Sequence, residues 1–234
     1  MSEWIRERLA QVHERIARAA ARTGRRAEEI TLIAVSKTFD PAVVQQAVDA
    51  GVRDLGENRV QEAATKVPQV RGQDLRWHLI GHLQSNKARA AVSLFDVIHT
   101  LDSPQLVSRL NRIAGEMGRR PVVLLQLDLG GEATKSGAQY SELPDIVAAL
   151  ESADSLDFRG LMTLPPFFED PEQTRSYFRR LREIMEEVNA GRAAEKRLTE
   201  LSMGMSHDFE VAIEEGATMV RVGTSIFGKR EKPL

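Results

Sequence analysis

From Thr31 onward the chain alternates short apolar runs with capped, helix-like stretches, and this repeated strand–helix alternation constrains the fold more than any single residue. The strand candidates are Thr31–Ser36, Arg53–Gly56, Trp77–Ile80, Asp96–Thr100, Val122–Asp128, Asp157–Met162, Thr199–Met203 and Met219–Val222. Helix candidates fill the gaps: Pro41–Ala50, Arg59–Lys66, Asn86–Ala91, Pro104–Met117, Leu143–Leu150, Pro171–Asn189 and Asp208–Glu215. Asp40-Pro41, Ser103-Pro104 and Asp170-Pro171 each set a capping residue before a first-turn proline. Gly51 stops the helix that Asp40 starts. Ahead of this series, Ser2 can cap a helix that carries Ile5, Leu9, Val12, Ile16 and Ala19 on one face and ends near Thr23-Gly24. Eight strands alternating with helices predict an α/β protein, a single (β/α)8 TIM-type barrel over residues 1–234. The extra N-terminal helix, within 1–24, is expected to pack on that barrel. The alternative is an open doubly wound sheet, but no Gly-x-Gly-x-x-Gly follows the first strand.

Composition narrows the function. Hydrophobic residues make up 42% and charged residues 28%, ordinary for a soluble globular chain. A formal charge of -2 argues against a nucleic-acid or membrane-surface binder, both of which want a basic face. With no cysteine there is no disulfide framework, no thiolate nucleophile and no cysteine-ligated metal. The charged, amphipathic N-terminus does not read as a signal peptide, and no apolar run has membrane-spanning length. A cytoplasmic protein is the expectation.

A barrel places its chemistry just after each strand, on one face. Lys37 closes the first strand there, where a partly desolvated amine can lose its proton and form a Schiff base with an aldehyde. A surface lysine at a strand end is the plainer alternative. Gly56-Glu57-Asn58 follows the second strand, and the third leads into Gly81-His82-Leu83-Gln84-Ser85-Asn86-Lys87. After the seventh strand comes Gly204-Met205-Ser206-His207, and after the eighth Gly223-Thr224-Ser225. Barrels often bind a phosphate between these last two loops, where glycines admit an anion to the backbone and Ser206 and Thr224 can donate. Ordinary small-residue loops are the alternative. A first-strand lysine facing such a cradle describes a pyridoxal 5′-phosphate (PLP) site. Arg221 can point inward at the ring nitrogen and, always a donor, would leave it unprotonated; otherwise it is a structural partner for Asp54 or Glu57.

Six stretches carry a resemblance. They are Ala34–Lys37, Gly56–Glu62, Trp77–Lys87, Thr134–Gly137, Leu201–Ser206 and Val220–Gly228. In order, from about Leu32 to Gly228, they resemble the YggS/PROSC family of pyridoxal phosphate homeostasis proteins. The resemblance implies a barrel related to the N-terminal domain of bacterial alanine racemase. It implies Lys37 as the Schiff-base lysine and Arg221 as the ring-nitrogen partner. Ser206, Gly223 and Thr224 would hold the phosphate, with Asn58 and Met203 flanking the cofactor. It also implies PLP binding without established turnover, as a buffer or carrier that can serve PLP-dependent apo-enzymes transiently. His82 stands where some members carry proline.

Other residues compete for roles. His78 is counted among the cofactor-binding residues as an active-face histidine, with a hydrogen-bonded core histidine as the alternative. His78 and His82 are not spaced as a helical metal pair, and no metal site is expected. His99 and His207 lie near strand ends without an assigned role. Lys135 is the main rival to Lys37. A PLP-dependent amino-acid racemase is the alternative function. It would need a second base, and the only tyrosines, Tyr140 and Tyr177, fall on or near predicted helices. The absence of a racemase-type second domain leans toward a monomer.

Overall fold

The computed structural model describes residues 3–131 and 136–228. Helix α1 (Glu3–Arg22) leads, followed by β1 (Thr31–Val35), α2 (Pro41–Asp49), β2 (Asp54–Glu57), α3 (Val60–Lys66), β3 (Arg76–Leu79) and α4 (Ala88–Leu94). Next come β4 (Val97–Leu101), α5 (Pro104–Glu116), β5 (Val122–Leu127), α6 (Leu143–Glu151), β6 (Asp157–Thr163) and α7 (Arg175–Asn189). The chain finishes with β7 (Glu200–Met205), α8 (Phe209–Glu214), β8 (Met219–Val222) and α9 (Thr224–Phe227). All eight strands pair in parallel in chain order, and β8 returns to β1, so the sheet closes into a barrel. The (β/α)8 expectation holds, with strand ends within two residues of those read from sequence. The doubly wound alternative is excluded by the β1–β8 ladder.

Side-chain alternation along each strand sorts the residues into two cores. Ala34, Leu55, Leu79, Leu125, Leu201 and Val220 join the large cluster between barrel and helices. Ile33, Leu124, Met162 and Met219 form a separate small cluster. Their strand neighbours Ala34, Leu125, Leu161 and Val220 belong to the outer one, so the four sit on the barrel's inner side. A TIM-type barrel filled this way is a packed core with one working mouth.

The helix starts are only partly as the sequence suggested. Ser103 Oγ accepts from the Leu106 N–H and the Asp170 carboxylate from the Glu172 N–H. Asp40 holds the N-cap position of α2 in extended backbone but makes no side-chain cap bond, leaving Pro41 to start the helix. Two expected helices begin instead with 3-10 turns, Ser85–Lys87 before α4 and Pro171–Thr174 before α7. Helix α9 had no sequence-based counterpart.

The N-terminal helix buries the stripe Ile5, Leu9, Val12, Ile16 and Ala19. It docks on α8 through a two-bond Arg15–Glu210 ion pair, with the Arg15 guanidinium 4.4 Å from the Phe209 ring centroid. Among the described residues no helix is long and apolar enough to cross a membrane.

Candidate functional site

Closure of the barrel makes neighbours of residues far apart in sequence. Strand β8 lies between β7 and β1, and β2 follows on the other side. The carboxyl ends of these four strands therefore present Ser206, Arg221 with Gly223 and Thr224, Lys37, and Asn58 as one continuous arc. Ile33 is in register with both Asp54 and Arg221. A Cβ added to Gly223 would lie 3.4 Å from both the Cβ and the carbonyl oxygen of Val35, two residues before Lys37. Lys37, Asn58, Ser206 and Gly223 are half-buried, and Thr224 is exposed at the start of α9.

The two expected phosphate loops are joined by one bond, from the Gly223 N–H to Ser206 Oγ at 3.1 Å. That bond spends the Gly223 N–H on the Ser206 oxygen, so an anion seated between the loops would have to replace Ser206 as its acceptor. Behind Ser206, the Asp208 carboxylate accepts from the Met205 N–H at 2.7 Å, and burial raises its pKa.

Arg221 is buried, and its guanidinium points into the barrel. Nη1 donates to Ser202 Oγ at 2.6 Å and Nη2 to the Thr163 carbonyl at 2.9 Å. Desolvation, partly opposed by the Asp208 charge, lowers its pKa to about 10, which still leaves it cationic at neutral pH. Of the two structural partners proposed from sequence, neither contacts it directly. Asp54 pairs with Arg76 at 2.7 Å and His78 at 2.8 Å, while Glu57 points out of the barrel to Lys66.

Arg221 instead anchors a chain of buried side chains that crosses the barrel. Ser202 Oγ lies 2.9 Å from His99 Nδ1, His99 Nε2 lies 2.9 Å from His78 Nδ1, and His78 Nε2 reaches Asp54 Oδ1. Donor logic fixes one set of protons when both rings are neutral. The Asp54 carboxylate can only accept, so His78 carries its proton on Nε2 and accepts on Nδ1. His99 must then donate from Nε2 and accept on Nδ1. That leaves Ser202 donating its hydroxyl proton to His99 while accepting from Arg221. Burial foremost, then repulsion from any proton placed on His78 and from the Arg221 guanidinium, holds the His99 pKa well below the ordinary 6.5. Burial alone would raise Asp54, but its bonds to His78 and Arg76 hold it below the usual carboxylate value.

Both His78 nitrogens are thus committed to protein, the hydrogen-bonded core alternative raised from sequence, and neither is open to a ligand. Met203 is fully buried in the large outer cluster, next to the bulge between Ser202 and Met205. Its part there is packing. Sequence reasoning offers Asp54 only as an alternative partner of Arg221, leaves His99 without a role and assigns none to Ser202 or Thr163. The available signal was polar side chains at inward positions of otherwise apolar strands. His207 Nε2 lies 3.0 Å from the Glu169 carbonyl, which ties it to the loop after β6. Lys135 and the residues 132–135 around it lie outside the described residues.

Across the mouth from β8, a cavity of about 380 Å³ is lined by Asn58, Ile80, Gln126, Leu164, Phe167 and Met205 among others. Gln126 Nε2 donates to the Ser136 carbonyl, but its buried Oε1 has no partner among the described residues. An unmet acceptor on a cavity wall is what a ligand or ordered water would satisfy. Gly81, on the same wall, is a close-approach position. A Cβ there would sit 2.2 Å from the Asn58 carbonyl oxygen and 2.8 Å from its Cα, both backbone atoms that cannot swing aside. Gly81→Ala is therefore expected to cost about 3 kcal/mol in urea denaturation and to displace Asn58. Gly56→Ala, whose nearest contact is the Ile33 Cγ2 side-chain atom at 2.9 Å, should cost clearly less.

The fold is a barrel of the alanine racemase N-terminal class, with Lys37 just past β1 and the Ser206 and Gly223 loops after the neighbouring β7 and β8. The family model described as "Alanine racemase, N-terminal domain" matches residues 8–231. The pyridoxal phosphate homeostasis protein of Aquifex aeolicus is 42% identical over 225 residues, covering 96% of this chain and 98% of that protein. Its namesake in Escherichia coli K12 is 41% identical over 240 residues, covering 97% of each. The structure of PipY from Synechococcus elongatus with PLP bound superposes with a TM-score of 0.82 at 42% identity, covering 96% of this chain and all of PipY. The alanine racemase of Clostridium difficile 630 shares the fold at a TM-score of 0.75 and 17% identity, with 58% of that chain covered. This chain belongs to the YggS/PROSC family, the pyridoxal phosphate homeostasis proteins.

Proposed function

We propose that this chain binds PLP covalently through Lys37 and serves as a monomeric cytoplasmic buffer and carrier of the vitamer, without sustained catalytic turnover. The observation that carries the reading is the arc of Lys37, Arg221, Gly223, Thr224 and Ser206 on three adjacent strand ends. When bound, PLP supplies an aldehyde that condenses with an amine and an electron-poor ring. Lys37 supplies the amine. The Ser206 hydroxyl, the Gly223 N–H and Thr224 supply donors of the kind a phosphate requires, and the missing side chain at Gly223 keeps the approach open. Arg221 offers an N–H donor to the ring nitrogen and no proton acceptor, so that nitrogen stays neutral. Asn58 flanks the group from β2. His78 and Met203 act at one remove, through the buried chain and the β7 bulge.

The racemase alternative needs a second base facing the amine. Tyr140 donates its hydroxyl to Glu187 at 2.7 Å on an exposed surface, and Tyr177 stacks on Phe168 in α7. Neither lines the cavity at the barrel mouth. A holding role also suits a half-buried Lys37 near an open rim, where an apo-enzyme acting as acceptor can take the cofactor.

Titration with PLP, followed by borohydride reduction and peptide mapping, tests the reading. The expected result is one equivalent per chain on the Lys37 peptide, with no continuing racemisation of added amino acids. Reduction onto Lys135 would move the anchor, and sustained racemisation would restore the enzyme alternative.

A further inference from the structure

The stretch Gly56–Glu62 stood out in the sequence, yet only Asn58 of it faces the site. Its two glutamates converge elsewhere, on Lys66. Lys66 is buried, and its Nζ donates to Glu57 Oε1 at 2.6 Å, to Glu62 Oε1 at 2.8 Å and to the Ser36 carbonyl at 2.8 Å. Ser36 Oγ also donates to Glu57 Oε1, at 2.6 Å, and the Thr38 N–H donates to Glu62. Residues on both sides of Lys37 are therefore gripped from behind the strand by one ionic cluster.

The grip coincides with an unusual backbone. The Phe39 N–H donates to the Ser36 carbonyl at 3.1 Å, so Ser36–Phe39 is a tight turn with Lys37 in its second position. Thr38, in the third, has φ of 68°, a left-handed conformation that a β-branched residue rarely takes. Such a conformation persists only where its surroundings over-determine it, and such residues cluster at functional sites. Here the surroundings are Lys66, Glu57 and Glu62. Burial raises the Glu57 pKa against the pull of Lys66 and Ser36. In Glu62, the bonds from Lys66 and Thr38 outweigh burial and lower it.

We infer that Glu57, Glu62 and Lys66 are positioning residues for Lys37: they hold the Ser36–Phe39 turn in the strained form that presents the lysine amine to the barrel mouth. The link to cofactor capture rests on the function proposed above, but the grip on the turn does not. Lys66→Met and the milder, isosteric Glu62→Gln test it, with two readouts.

Amide hydrogen exchange of the protein without PLP reads the turn directly. Exchange at Thr38 should rise at least tenfold in both variants, with β4–β6 unchanged. PLP titration should then show at least tenfold weaker binding and a shifted pH profile for the imine absorbance band. Adding Thr38→Gly, which makes the left-handed conformation free of strain, should recover part of that affinity in Lys66→Met.

Unchanged exchange and affinity in both variants would overturn the inference. So would exchange rising throughout the barrel, or a Thr38→Gly double variant with no recovery. Wild-type protein that fails to bind PLP, yet shows the expected exchange pattern, would sink the proposed function and leave the clamp standing.

Discussion

Lys37→Ala is expected to abolish borohydride-trapped PLP completely while shifting the melting temperature by no more than a few degrees. The loss is total because the amine supplies the bond-forming atom, and no nearby group replaces it among the described residues. Lys66, the other lysine close by, is buried and turned away, holding Ser36 and two glutamates. The small thermal effect follows from where Lys37 sits. It is half-buried at a turn whose backbone is held by its neighbours' bonds, so truncation removes little core packing. Substitutions of this kind usually change stability by about 0.5 kcal/mol. Lys37→Arg sharpens the test, since it keeps the positive charge but offers a guanidinium that stays protonated and cannot condense. Both variants should lose the imine band. Each should keep weaker, reversible binding through Arg221 and the Ser206–Gly223 cradle, visible by equilibrium dialysis. A band that survives in Lys37→Ala would place the anchor on another lysine.

Much of this arrangement was legible in the chain, for a physical reason. In a parallel barrel the working residues follow each strand, so locating the strands locates the candidates. Lys37, Ser206 and Gly223 are candidates on that ground, Arg221 as the inward residue at the end of β8, and closure of β8 on β1 brings their strands side by side. What sequence could not show was which way a residue faces when the strand is short. Gly56, Glu57 and Asn58 read as one loop, but alternation turns Glu57 outward to Lys66 while Asn58 lines the mouth. Part of that cluster carries a signal the sequence reading does not use, since Glu62 and Lys66 have the i,i+4 spacing of a helical ion pair. Its grip on Ser36 and Thr38 carries none, since it depends on the packing of α3 behind β1. Met203 shows the reverse limit. The resemblance set it beside the cofactor, but it alternates with the inward Ser202 and so packs in the outer cluster. Helix α9 escaped because four residues carry no periodicity to read.

The buried chain from Arg221 to Asp54 makes stability depend on pH. His99 is fully buried, and desolvation, with repulsion from any proton on His78 and from Arg221, keeps it neutral in the folded protein far below 6.5. Once unfolded, the same imidazole protonates at its ordinary value. Below about pH 6.5 the unfolded chain therefore binds a proton that the folded one refuses, and stability falls as pH falls. The slope for one such proton is about 1.4 kcal/mol per pH unit. Asp54 acts in a separate, lower window. Its folded pKa lies under the usual carboxylate value, so its contribution is intact above about pH 4 and is lost only as pH drops through the folded value. Partial burial lowers His13 on α1 as well, so the wild-type slope is not His99's alone. His99→Gln isolates it by removing the titration while keeping an amide that can bond to Ser202 and His78. Urea denaturation at pH 7.5, 6.5 and 5.5 should show wild-type stability falling between the last two. In His99→Gln that fall should shrink by about 1 kcal/mol, even though the variant is less stable at pH 7.5. The chemistry predicts a second consequence at the site. Protonating His99 would force its Nδ1 to donate, reversing the Ser202 hydroxyl and setting two donors, Arg221 and His99, against one oxygen. Because the folded barrel refuses that proton between pH 6.5 and 5.5, PLP affinity should change across this range no more in the wild type than in His99→Gln. A flat wild-type stability profile between pH 6.5 and 5.5 would show that the imidazole is not held neutral in the barrel.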